Sequence, residues 1–145
     1  MKLKYYIIGI VLVIIDQLLK ILMINKEFII IPNLLKFSYV ENTNGAFGIG
    51  TKYIVLLFSI IIIAGIIIYL LKENKKINNY IPYILILFGS IGNLIDRIFR
   101  GYVIDFININ IFNFPTFNLA DIAIVLGISL LIIEIIKTNF KIKNT

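Results

Sequence analysis

Four apolar runs dominate the chain, spanning residues 5–24, 53–71, 81–99 and 119–136. A bilayer core needs about 20 apolar residues per helical crossing. Lipid offers no partner to an open backbone, so a run of that length crosses as a helix. The chain is 60% hydrophobic and 15% charged, with a mean hydropathy of +1.00. A soluble domain is closer to about 45–50% apolar and 25% charged. The expected architecture is an all-α membrane protein of four transmembrane helices, forming one integral membrane domain over residues 1–145. Met1-Lys2-Leu3-Lys4 ahead of the first run resembles the start of a secretory signal. No small-x-small cleavage site follows, so residues 5–24 are expected to remain as the first span.

Basic residues orient the spans. Lys2 and Lys4, then Lys72, Lys75 and Lys76, then Lys137, Lys141 and Lys143 fall in three regions that four crossings place on one side. The positive-inside rule makes that side cytoplasmic, with both termini inside and segments 25–52 and 100–118 outside. The net charge of +6 therefore reads as a topology signal and not as a nucleic-acid surface. Leu35 to Tyr39 and Ile107 to Ile111 alternate apolar with polar residues, the pattern of short strands with one greasy face. Such strands could lie on the membrane surface over the helices.

The chain has no His and no Cys. It cannot build a Ser-His-Asp triad, a cysteine nucleophile or an ordinary zinc site. Its few intramembrane charges each call for an explanation, since one costs about 2.5–3.5 kcal/mol on insertion scales. Asp16 and Lys20, at i and i+4, can neutralise one another. Gly89, Asn93, Asp96, Arg97 and Arg100 form a polar stripe on the third run. Small-residue packing and an Asp96–Arg100 pair account for part of that stripe, but less well for Asn93 and Arg97. Asp105 and Asp121 bracket the second external segment at one membrane face, with Asn118 a turn before Asp121. Each could be only a solvated helix end or a cap. Together, with Asn and Arg nearby, they make a candidate paired-carboxylate site. A non-enzymatic reading is a four-helix channel or transporter subunit whose polar stripe lines a path.

In chain order stand Asp16-Gln17-Leu18-Leu19-Lys20, Asn42-Thr43-Asn44-Gly45-Ala46-Phe47, Gly92-Asn93-Leu94-Ile95-Asp96-Arg97, Val103-Ile104-Asp105-Phe106 and Phe117-Asn118-Leu119-Ala120-Asp121. Five such motifs on four spans resemble the bacterial lipoprotein signal peptidases (type II signal peptidases) over nearly the whole chain. Leu19 stands where Ser or Thr is frequent, and the Asn42–Phe47 loop departs from Asn-x-Gly-Ala-Ala-Phe at Asn44 and Gly45. The resemblance implies an aspartic endopeptidase that removes the signal peptide of a diacylglyceryl-modified prolipoprotein, just before the lipidated cysteine. It further implies a small extracytoplasmic β-cradle with a short surface helix. By motif position Asp105 and Asp121 become the catalytic dyad, with Asp16, Asn42, Asn93, Arg97 and Asn118 in support. The expected setting is a monomer in the bacterial cytoplasmic membrane, its site at the outer face, in contact with lipid and substrate. No metal, organic cofactor or nucleic acid is expected.

Overall fold

Each apolar run forms one helix in the structure, a computed structural model that describes residues 3–43, 52–72, 77, 79–111 and 114–143. In chain order the elements are α1 (Leu3–Met23), β1 (Glu27–Ile31), β2 (Leu35–Asn42), α2 (Lys52–Lys72), α3 (Ile81–Phe99), β3 (Val103–Ile109) and α4 (Leu119–Lys143). All four helices are long and apolar enough to cross a membrane. The large apolar side chains they leave exposed, such as Leu18, Leu22, Phe58 and Val125, face what lipid would cover.

Lipid tails are as apolar as leucine, so helices in a membrane associate through close packing and polar contacts and not through a hydrophobic drive. α3 supplies both and is the hub on which α1, α2 and α4 pack. A methyl at Gly89 would lie 2.7 Å from the backbone oxygen of Ala120, and one at Gly92 would lie 2.9 Å from the Asp16 carboxylate. Even one added methyl at Gly89 must push α4 away. Gly89→Ala is expected to cost about 1–3 kcal/mol of stability, measured by thermal unfolding in detergent. An unchanged midpoint would mean that the helices do not approach this closely.

β1, β2 and β3 form one antiparallel sheet in that order. Asn33, at φ 60, turns the chain between β1 and β2. Two strands were expected, at Leu35 to Tyr39 and Ile107 to Ile111, and each proves longer or shifted. β1 was not anticipated, because Phe28-Ile29-Ile30-Ile31 shows no alternation. β3 begins at Val103, close behind α3, so Asp105 lies within a strand and not at the end of a loop. Gly101, at φ 84, makes the sharp exit from α3 that lets the strand start there. The short surface helix is not among the described residues, and Asn44 to Phe47 of the second motif also lie outside them.

Candidate functional site

Strand register and one helix cap bring the site together. Val40 pairs with Asp105 and Asn42 with Val103, so Asn42 is the diagonal neighbour of Asp105 on the same sheet face. Its Nδ2 donates to Asp105 Oδ2 at 2.9 Å. Phe117 is bridged to Ile107, which ties the segment leading into α4 against β3. Asn118 then caps α4: Asp121 N–H donates to Asn118 Oδ1 at 2.9 Å, and Asn118 N–H donates back to Asp121 Oδ2 at 3.1 Å. This reciprocal cap satisfies two backbone donors. It also locks Asp121 beside Asn118, whose Nδ2 donates to Asp105 Oδ1 at 2.7 Å.

The second carboxylate is held from α3. Asn93 Nδ2 donates to Asp121 Oδ1 at 2.7 Å, while Asn93 Oδ1 accepts from Asn118 Nδ2 at 3.1 Å. Two neighbouring amides thus run between the two carboxylates. Arg97, one turn on, donates Nη1 to the Asn93 backbone oxygen at 3.3 Å. Its guanidinium lies within electrostatic reach of Asp121 and Asp105. The Asp105 carboxyl is pushed up to about 6, first by burial and then by the charge of Asp121, while Asn42, Asn118 and Lys20 pull the other way.

Asp16 stands apart from the carboxylate pair. Its Oδ1 accepts from Ala120 N–H at 2.9 Å, so a carboxylate on α1 caps the first turn of α4 across the helix interface. The i,i+4 pairs Asp16–Lys20 and Asp96–Arg100 are both present. They are also joined to each other: Lys20 Nζ lies 2.9 Å from Asp96 Oδ2. Gln17 donates to Asp96 Oδ1 at 3.1 Å and accepts from Arg100 at 2.9 Å. Asp96 further accepts Ile104 N–H at 3.2 Å, tying α3 to β3. The result is a quartet of two acids and two bases, neutral as a unit, with Asp16, Lys20 and Asp96 buried and Arg100 partly exposed, joined to the carboxylate pair through Asn93. Pairing within single helices was legible as i,i+4 spacing. The contribution of Gln17 and the cross-helix links was not, although both sit in the motifs quoted above.

A cavity of about 440 Å³ opens between α2 and α4. Asn42, Asn93, Arg97, Asp105 and Asp121 line its polar end. Phe58 and Ile62 of α2, with Ile124 and Ile128 of α4, form apolar walls. Such a site sets one buried and one half-buried carboxylate at the head of an apolar slot.

Residues 8–137 match the family model described as Signal peptidase (SPase) II. The chain belongs to the signal peptidase II family. The resemblance drawn from the five motifs is thereby borne out, and the protein is a membrane peptidase. The lipoprotein signal peptidase of Halalkalibacterium halodurans is 38% identical, with 96% of both chains covered. That of Clostridium tetani is 40% identical over 96% of this chain and 94% of its own. A solved structure described as a bacterial membrane enzyme superposes with a TM-score of 0.85 at 30% identity, covering 94% of this chain and 89% of that one. Membership of the signal peptidase II family accords with four spanning helices and a multi-pass membrane protein.

Proposed function

We propose that this chain removes the signal peptide of diacylglyceryl-modified prolipoproteins, cutting just before the lipidated cysteine, and that Asp105 and Asp121 are its catalytic dyad. The observation that carries the assignment is the convergence of both carboxylates on the Asn93 and Asn118 amides at the polar end of an apolar cavity. Two neighbouring, partly desolvated carboxyls resist double ionisation and share one proton. The ionised member takes a proton from water as that water attacks the scissile carbonyl. The protonated member hydrogen-bonds the carbonyl oxygen, and the tetrahedral intermediate collapses as a proton passes to the leaving nitrogen. With one shared proton the dyad carries a single negative charge, which Arg97 balances. Asn42, Asn93 and Asn118 hold the carboxylates in register, and Asp16 holds α4.

The diacylglyceryl chains fit the apolar walls of the cavity, which keeps the scissile bond at the level of the dyad. The enzyme acts as a monomer surrounded by lipid, with no nucleic-acid partner. It lies in the bacterial cytoplasmic membrane, with both termini in the cytoplasm and the site at the outer face, as the distribution of lysines supports. Cysteines introduced singly at Lys72 and Asn33, both exposed positions, are expected to label from opposite sides of the membrane. Labelling of both from one side would undo this orientation. The function itself is tested by mixing the purified protein with a diacylglyceryl-modified prolipoprotein and an unmodified one. Mass spectrometry should find the lipidated cysteine as a new N-terminus in the first alone. An intact modified substrate would overturn the proposal.

A further inference from the structure

Lys20 is fully buried, at 0% exposure, and its Nζ meets three acceptors. These are Asp16 Oδ2 at 2.8 Å, Asp96 Oδ2 at 2.9 Å and Asn93 Oδ1 at 2.9 Å. The carboxylates account for its charge; the amide does not. An ammonium has three donors and no acceptor. Asn93 must therefore turn its oxygen to Lys20, which leaves its amide hydrogens for Asp121. The same oxygen receives Asn118 Nδ2, which also donates to Asp105. Reversing Asn93 would set its hydrogens against the ammonium and against Asn118, and its oxygen against a carboxylate. Asn118 is set by its own cap, its oxygen accepting the Asp121 N–H, so Lys20 and Asn118 together fix the direction of Asn93, and the two amides run in one sense to both aspartates.

We propose that Lys20 is a positioning residue for the dyad: it holds Asn93 in the sense that serves Asp121 and receives Asn118, and it supplies positive potential where the carboxylates share a proton. The inference rests on the dyad reading given above. The charged groups facing this centre are Asp16 on α1, Asp96, Arg97 and Arg100 on α3, Asp105 on β3 and Asp121 on α4. Among them Lys20 is the cation bound directly to an amide side chain that holds a dyad member. A nearby positive charge favours the ionised carboxylate. Its removal makes ionisation harder, so the acidic limb of the pH–rate profile moves to higher pH.

The test combines Lys20→Met with Asp16→Asn, removing one positive and one negative charge, and uses Asp16→Asn alone as the reference. Relative to that reference the double variant should keep its thermal midpoint in detergent and a KM within about twofold. Its kcat should fall by about tenfold or more, the scale of losing a partner that orients a reacting group. The acidic limb should rise by about half a pH unit or more. An unchanged kcat overturns the proposal. So does a lower kcat with an unmoved limb, which would make Lys20 purely structural. If the methionine variant does not insert, Lys20→Gln in the same background carries the same expectations, because glutamine is neutral and accepts as well as donates. Asp105→Asn is run alongside. Should it retain activity, the dyad reading fails; should it be inactive while the Lys20 variants match their reference, the positioning role alone fails.

Discussion

Asp105→Asn and Asp121→Asn are each expected to abolish cleavage while the protein still inserts and binds substrate. Asparagine keeps the size of the side chain and most of its hydrogen bonds. It cannot take the proton of the attacking water, nor supply an acidic one to the carbonyl, so either change disables the pair. General acid–base action contributes about 10²–10⁴-fold, and the loss should be at least that large because the neighbouring carboxyls of Asp16 and Asp96 are engaged by Lys20, Arg100 and the Ala120 N–H. Steady-state cleavage of a diacylglyceryl-modified prolipoprotein measures it. Retention of more than about a tenth of wild-type kcat by either variant would move the chemistry elsewhere. A second readout separates the dyad from two independent acids. The charge of Asp121 helps push the Asp105 carboxyl up to about 6. In Asp121→Asn that repulsion is gone, so Asp105, followed by carboxyl NMR, should titrate at lower pH than in the wild type. Burial remains, so the value should not fall all the way to that of a solvated aspartate.

The largest expected effect on folding belongs to Asp96. It receives Lys20 Nζ, Arg100, Gln17 Nε2 and the Ile104 N–H, all within the membrane or at its edge. Asp96→Asn leaves the buried Lys20 and the partly exposed Arg100 with the single remaining acid of the quartet. Removing one partner of a buried ion pair costs about 3–5 kcal/mol, because the other charge stays buried without compensation. Thermal unfolding in detergent and the yield of folded protein should both drop sharply. Lys36→Ala, which breaks the exposed pair to Glu27 at 2.9 Å, should cost no more than about 1 kcal/mol. Equal midpoints for the two variants would mean that the quartet is not the clamp joining α1, α3 and β3.

The spans were legible because lipid imposes one length and one structure on an apolar run; α1, α2 and α3 begin and end within two residues of the expected runs, while α4 goes on to Lys143. Asp105 and Asp121 stood out because a carboxylate is rare in such a chain. β1 escaped notice because all five of its residues are exposed at a sheet edge, where no alternation is enforced. The extended placement of Asp105 escaped too. It depends on the Gly101 turn and on pairing with β2, a partner more than sixty residues away in sequence. Spacing gave the pairs Asp16–Lys20 and Asp96–Arg100, since i,i+4 is a property of one helix. Their linkage through Gln17 and Lys20 is a property of two helices in contact, and no local pattern encodes it. Arg97 was expected to lend a donor to the site; its described hydrogen bond goes to its own helix backbone.

The neutral quartet has a consequence for how the protein is made. Two of its three ion pairs are local, Asp16 with Lys20 on α1 and Asp96 with Arg100 at the end of α3. During synthesis α1 enters the bilayer before α3 exists, so an acid whose only partner lay on α3 would meet lipid alone. Because each segment brings its own counterion, α1 can enter lipid without a bare charge, and α3 carries its own partner for Asp96. Docking then adds one link, as Lys20 reaches across to Asp96 while both local pairs are kept. The charges that later join α1 to α3 thus travel as self-contained dipoles, and the order of biosynthesis is written into the i,i+4 spacing.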